Sequence, residues 1–170
     1  YHGTCKPFGL QRTYPNVINY EGVNGLEQLK WKKQGYDQVT YDLTFPFIRM
    51  LAGPVDYTQG AMRNATQKGY YPNNHEPMSQ GTRCRQLAEY IIFESPFNML
   101  CDTPINYMKE QECTDFISSV PTIWDETVAL DSKIANYITI ARRSKDTWYI
   151  GSINDWKMRE LEIDLTFLPE

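Results

Sequence analysis

Apolar residues recur along this chain in two rhythms, and the change between them falls near residues 120–126. Ahead of it, the most regular stretch is residues 82–93. There Leu87, Tyr90 and Ile91 follow the i, i+3, i+4 spacing of one helical face, and Pro96 stops the run. Thr103 and Pro104 are a cap and a first-turn proline, predicting helix that continues with a break through residues 106–119. Residues 39–45 alternate β-branched and aromatic positions, which predicts a strand ended by Pro46. Residues 46–51 predict a short helix closed by Gly53-Pro54, residues 17–20 a short strand, and residues 26–31 a brief helical turn after Gly25. Residues 1–11 read as a loop leaving a strand end, and residues 32–38 and 70–78 as further loops. Beyond the change the period is two, over residues 127–130, 137–143, 148–153 and 161–167. Asp131-Ser132 and Ser144-Lys145-Asp146 supply the turns.

This division predicts a mixed α/β part over residues 1–122 and an antiparallel β part over residues 123–170. Each is short for what it resembles. Two or three strands with two helices fall well below the roughly 250 residues of an eight-stranded barrel. About four strands cannot cover both faces of a sandwich. The expected fold class is therefore α/β plus all-β. It is the C-terminal portion of a (β/α)8 TIM barrel running into the first strands of a C-terminal antiparallel β-sandwich domain, both incomplete. The opening at Tyr1 without a Met fits a processed chain or a piece of a longer one.

Within the first part, residues 12–31 (RTYPNVINYEGVNGLEQLKW) set Glu21 and Glu27 six positions apart, with Gly22 and Gly25 between them. Six helical steps turn about 600° and leave the two side chains on different faces. Six strand steps separate them by about 20 Å. A glycine-bent loop can bring them together, because glycine adopts the positive φ values that fold a chain back. Two acids so placed repel, and either a hard cation such as Ca²⁺ or a proton held by one of them compensates. Paired carboxyls of this kind belong to glycosidic-bond chemistry. His2, at a presumed strand end where barrel enzymes place their chemistry, is a second candidate, with a plain surface histidine the equal alternative. Asp56, after the Gly53-Pro54 turn, reads first as a residue bonding nearby backbone and only second as a ligand contact.

Charge and composition narrow the partners. Seventeen basic and 21 acidic side chains are scattered without a basic block, so nucleic acid is excluded as an expected partner. No apolar run reaches the 18 or so residues of a membrane span. Aromatic residues make up 14 % of the chain, which suits stacking on sugar faces but suits an ordinary core better. The four cysteines, Cys5, Cys84, Cys101 and Cys113, form no C-x-x-C pair or zinc spacing. Cys84 and Cys101 lie in apolar segments expected to be buried, and free thiols are expected. Asn64-Ala65-Thr66 matches a glycosylation triplet, a pattern common by chance.

The string HGTCKPFGLQRTYPNVINYEGVNGLEQLKW, with PFIRMLAGPVDYTQGAMRNA and PMSQGTRCRQLAEYIIFESPFNMLCDTP after it, closely resembles glycoside hydrolase family 97. These are bacterial α-glucosidases and α-galactosidases, typical of Bacteroides-like polysaccharide-degrading systems. The resemblance spans essentially all 170 residues, and R-T-Y-P-N followed by E-G-x-x-G-x-E carries most of its specificity. It implies a calcium ion near the catalytic centre, with Glu21 as a metal ligand. It implies Glu27 as catalytic proton donor, itself able to touch the ion, and His2 as a substrate contact. Inverting members have a base glutamate where this chain has Gly3, so the resemblance implies the retaining subgroup, whose aspartate nucleophile lies on an earlier strand, before Tyr1. α-Galactosides are the leading substrate class. A retaining α-glucosidase and a non-catalytic carbohydrate-binding or structural fragment are the alternatives. Tyr14, Asn16 and Trp31 are further candidates for lining the sugar site, although packing or backbone capping is their commoner role. A periplasmic location and a monomeric full-length protein are expected on the same resemblance, and the 170 residues alone are expected to be inactive.

Overall fold

The computed structural model describes residues 1–169. Its first part is built on short extended segments lying side by side. Glu21 N–H donates to Tyr1 O (3.0 Å), Gly22 N–H to Gly3 O (2.9 Å), Asp56 N–H to Tyr20 O (2.8 Å) and Val55 N–H to Glu94 O (2.9 Å). Tyr20 and Val55 pair in parallel. The residues expected as a strand over 17–20 thus contribute one bridge, at Tyr20. Between these segments run helices: α1 (Gln38–Asp42), then, after the two-residue parallel pair β1 (Asn64–Ala65) and β2 (Ser79–Gln80), α2 (Arg83–Ile92), α3 (Pro104–Lys109) and α4 (Gln111–Ser119). The helix expected over residues 82–93 is α2, capped by the Thr82 hydroxyl accepting from Arg85 N–H at 3.2 Å. The expected break between residues 106 and 119 falls at Glu110.

Residues 39–45 are a correction. They form α1 and the start of a 3-10 turn at Phe45–Phe47 rather than a strand. The Asp37 carboxylate accepts from Thr40 N–H (3.1 Å) and the Thr40 hydroxyl (2.7 Å), nucleating a helical turn. Val39 and Leu43, one turn apart, are fully buried together. Residues 46–51 make 3-10 turns instead of one helix. Cys84, expected inside, is exposed on α2, and all four cysteines are free thiols. The side-chain amide of Asn64 is engaged by Ala61 O (2.9 Å) and Ser79 Oγ (2.7 Å).

The second part is a three-stranded antiparallel sheet, β3 (Glu126–Lys133), β4 (Tyr137–Ser144) and β5 (Thr147–Asn154), in the order β3-β4-β5. Its second hairpin turns at Lys145-Asp146, as expected, with Lys145 at φ 54°. The first does not turn at Asp131-Ser132. β3 continues through a bulge between Ala129 and Asp131, and the chain reverses at residues 134–136, with Ala135 at φ 62°. Residues 161–167 are not a strand, because they find no ladder partner among the described residues; Phe167 packs edge-on against Trp148 with ring centroids 4.8 Å apart.

Helix α2 is the layer shared by both parts. One side meets β5, where a Cβ on Gly151 would lie 2.9 Å from Ile91 Cβ and 3.0 Å from Ala88 O. Arg142 of β4 donates to Ile92 O at 3.1 Å. Its other side carries Arg85, Gln86 and Glu89 into the core. Arg85 reaches Asp42 of α1 at 2.6 Å and Glu89 at 2.8 Å. Asp42 also accepts from Tyr57 OH (2.7 Å) and Gln38 Nε2 (2.8 Å). Around this network pack Phe45, Tyr57 and Phe93, with centroids 4.7–5.4 Å apart. Burial pushes both carboxyls up, that of Glu89 to about 8, against the pull of the guanidinium between them. Removing Arg85 would leave two buried carboxyls without their cation. We therefore expect Arg85→Met to lower the stability of the full-length protein by about 3–5 kcal/mol, read from urea unfolding. A midpoint unchanged from wild type would show that the network does not hold the core together.

Candidate active site

The turn after Glu21 is made by Gly22, at φ 55°, in a space where a Cβ would meet Cys5 O at 2.6 Å. No other residue type fits both conditions. Gly25 works differently from the expectation. Its backbone is extended (φ −72°, ψ 172°), so it is not a second left-handed hinge. What matters is its missing side chain: a Cβ there would overlap both the Glu27 carboxylate and the Thr58 hydroxyl. The expected helical turn follows at once as a 3-10 turn, Leu26–Trp31, with Glu27 in its first turn and Leu26 and Leu29 buried beneath. The loop is tied down by Tyr41 OH accepting from Asn24 N–H (2.8 Å), by Gln38 Nε2 donating to Asn24 O (3.0 Å), and by Tyr70 OH donating to Leu29 O (2.8 Å). Below Glu21, the buried Arg49 donates to Tyr20 O at 2.7 Å.

The result brings together His2, Glu21 and Glu27, whose ligand atoms lie within 4.8 Å of one another. All three were candidates from the sequence. His2 Nδ1 is 2.8 Å from Asp56 Oδ2, and Nε2 is 3.6 Å from Glu21 Oε1. The Thr58 hydroxyl donates to Glu27 Oε2. Burial raises the Glu21 carboxyl above the ordinary range, and the neighbouring charges of Glu27 and Asp56 add to this while His2 opposes it. For His2, burial favours the neutral ring, but the bond to Asp56 and the charges of Glu21, Asp56 and Glu27 outweigh it and raise the imidazole. The cluster thus gathers negative charge that a proton on His2 only partly offsets.

Asp56 corrects the sequence reading: it bonds a side chain of the cluster, not nearby backbone. Thr58 was not anticipated. The usable signal was its spacing, since Asp56 and Thr58 share a face of an extended segment by the two-residue repeat. Tyr14, Asn16 and Trp31 stand exposed, and among the described residues none is hydrogen-bonded to the cluster. A small cavity of about 100 Å³ lies beside Glu27, lined by Leu26, Lys30, Ala61, Met78 and Asp102. Another, of about 350 Å³, lies beside Glu21 with Thr4, Asn24 and Tyr41. A larger cavity, about 610 Å³, lies between α2 and β5 and is lined by neither Glu21 nor Glu27. Chemically decisive groups, rather than volume, mark the site.

Residues 123–170 match the family model described as glycosyl-hydrolase 97 C-terminal, oligomerisation. The whole chain superimposes on a glycoside hydrolase family 97 enzyme from a Pseudoalteromonas strain, solved in complex with acarbose. The TM-score is 0.82 at 35 % identity, over 99 % of this chain and 26 % of that one. The chain belongs to glycoside hydrolase family 97. It is 64 % identical over 169 residues to a retaining alpha-galactosidase of Bacteroides thetaiotaomicron, covering 99 % of this chain and 26 % of the relative. A probable retaining alpha-galactosidase of Streptomyces bingchenggensis is 30 % identical over 151 residues, 89 % of this chain and 21 % of the relative. A structure of a beta-arabinopyranosidase also superimposes, with a TM-score of 0.78 at 29 % identity, over 94 % of this chain and 26 % of that one. The chain thus spans about a quarter of the length of these curated relatives and solved structures.

The shared space of Gly25, Glu27 and Thr58 has a measurable consequence. Gly25→Ala should destabilise the full-length protein by about 1–3 kcal/mol through overpacking. Combining it with Thr58→Ala should cost less than the sum of the two, by about 0.5 kcal/mol or more, because the lost hydroxyl makes room. Strict additivity in thermal unfolding would contradict the crowding.

Proposed function

We propose that this chain carries the proton-donating side of the active site of a retaining α-galactosidase. The observation that carries this is the convergence of His2, from the first segment, with Glu21 and Glu27 of one glycine-made turn, beside a cavity at Glu27. The identity of 64 % to a relative named retaining alpha-galactosidase favours galactose over glucose.

In this reading Glu27 gives its proton to the glycosidic oxygen as the bond from that oxygen to the sugar C1 breaks, while an aspartate before Tyr1 forms a bond to C1. The Glu27 carboxylate then takes a proton from water as water displaces that aspartate, so the configuration is retained. An inverting enzyme would need a second base to activate water. The position where inverting members carry a glutamate is Gly3, whose backbone oxygen accepts from Gly22 N–H at 2.9 Å. His2 holds a sugar hydroxyl. Glu21 and Glu27 would hold Ca²⁺; they offer hard oxygen donors in a negatively charged spot, short of the six to eight oxygens such an ion gathers. When bound, the ion would offset the acids' mutual repulsion.

The side-by-side extended segments with helices between them, and the acids clustered near their ends, support the (β/α)8 barrel expected for the first part. The 170 residues alone are inactive in this reading, and the full-length enzyme acts in the periplasm. The family model's description includes oligomerisation, which speaks against the expected monomer; sedimentation of the full-length protein decides between them.

The test is direct. The full-length protein should hydrolyse p-nitrophenyl α-galactoside much faster than the α-glucoside; the reverse preference would make it a retaining α-glucosidase. Glu27→Ala should lose about 10²–10⁴-fold of activity on substrates with poor leaving groups, and on an activated aryl α-galactoside, where displacement of the aspartate limits the rate, azide should restore turnover by yielding α-galactosyl azide. Full activity in that variant would leave a non-catalytic carbohydrate-binding or structural fragment as the reading. Complete chelation of calcium should lower both activity and melting temperature, and Glu21→Gln should abolish the response of the melting temperature to added calcium.

A further inference from the structure

The extended segment containing Val55, Asp56, Tyr57 and Thr58 presents two different faces. Val55 and Tyr57 are buried in the core at 0 % and 2 % exposure, and Tyr57 OH is anchored to Asp42 in the Arg85 network. Asp56 and Thr58 are nearly as buried, at 5 % and 6 %, but face the cluster. Asp56 Oδ2 binds His2 Nδ1 at 2.8 Å, and its other oxygen is buried without a hydrogen-bond partner among the described residues. The Thr58 hydroxyl donates to Glu27 Oε2 through the space left by Gly25. The backbone is pinned on both sides, by Glu94 O to Val55 N–H and by Tyr20 O to Asp56 N–H.

We propose that this segment is the template that sets the site's geometry. Asp56 is the positioning residue of His2, and Thr58 is the positioning residue of Glu27. The inference rests on the role given to Glu27 above and deepens it. His2 comes from an irregular segment and Glu27 from the first turn of a short 3-10 turn, and side chains held by so little local structure are poorly placed for proton transfer. An extended segment pinned on both sides, whose alternate side chains reach one of these groups each, removes that freedom. A hydroxyl is well suited to the Glu27 task. It donates to the carboxylate and, turned about its C–O bond, accepts from the acid, so it holds the side chain in both protonation states of a two-step reaction. The unpartnered Asp56 oxygen has a steep desolvation cost, which is retained where a site needs that carboxylate in place.

The test uses the full-length enzyme and two substrates. Methyl α-galactoside needs its leaving oxygen protonated; 2,4-dinitrophenyl α-galactoside does not. Thr58→Val keeps the shape and removes the hydroxyl. It should lower kcat/KM on the methyl glycoside by about 100-fold, the cost of misplacing a reacting group by about 1 Å, and leave kcat/KM on the dinitrophenyl glycoside nearly unchanged. Thr58→Ser should restore most of the loss, and Thr58→Ala takes the place of the valine variant if that one fails to fold. An equal fall on both substrates, or no fall on either, overturns the proposal for Thr58. For Asp56, His2→Ala and Asp56→Ala should each reduce kcat/KM, and the double variant should lose no more than the worse single one. Additive losses overturn this half. Glu27→Ala run in parallel separates the two levels. If it shows no dependence on the leaving group, the role of Glu27 itself is wrong. If it does and Thr58→Val does not, the template alone is wrong.

Discussion

The ion pair between Asp42 and Arg85 is the contact on which the remainder of the structure leans. Asp42 is fully buried and Arg85 nearly so, and each charge is tolerable there only while the other is in place. Asp42 comes from α1, Arg85 and Glu89 from α2, and Tyr57 from the extended segment between them. Three separate stretches of chain are thereby fixed in mutual orientation by directional bonds, where apolar packing of Phe45, Tyr57 and Phe93 alone would permit sliding. The same contact fixes which way the neighbouring residues of that segment point, and so connects core chemistry to site geometry.

Much of the site could be read from the residues. Glu21 and Glu27, separated by two glycines, could meet only through a bent loop, and Gly22 at φ 55° makes that bend. The role of Gly25 was not legible, since nothing local shows that a threonine more than thirty positions away competes for its Cβ volume. Asp56 was misread for a similar reason. Local rules see an aspartate after a Gly-Pro turn and assign it to backbone, whereas its partner, His2, is 54 positions distant. Such pairings are tertiary, created where the segments at residues 1–3, 20–22 and 55–58 lie side by side.

The fold shows the same division between local and distant causes. Helix α2 and the β4–β5 hairpin carry strong local signals, an amphipathic stripe with a threonine cap and an alternating run with a tight turn, and both appear as expected. Residues 39–45 alternate convincingly, but an Asp37 cap and the burial of Val39 with Leu43 turn them into helix. Residues 161–167 also alternate, yet a strand is defined by its neighbour, and none is offered there among the described residues. The bulge in β3 carries that strand past Asp131-Ser132, where turn chemistry alone would have ended it.

Gly151 lies under α2 so closely that no larger residue fits, and Arg142 grips the carbonyl at the end of the same helix. The two parts that meet at the change in sequence rhythm near residue 120 are therefore packed tightly on one another through α2. Cutting there would strip one side of the helix whose other side bears the guanidinium bracing the first part of the chain. The sheet thus backs α2 from the side away from the buried ion pair, and loosening it would be felt as lost alignment of Arg85 and, through Asp42 and Tyr57, of the segment that bears Asp56 and Thr58.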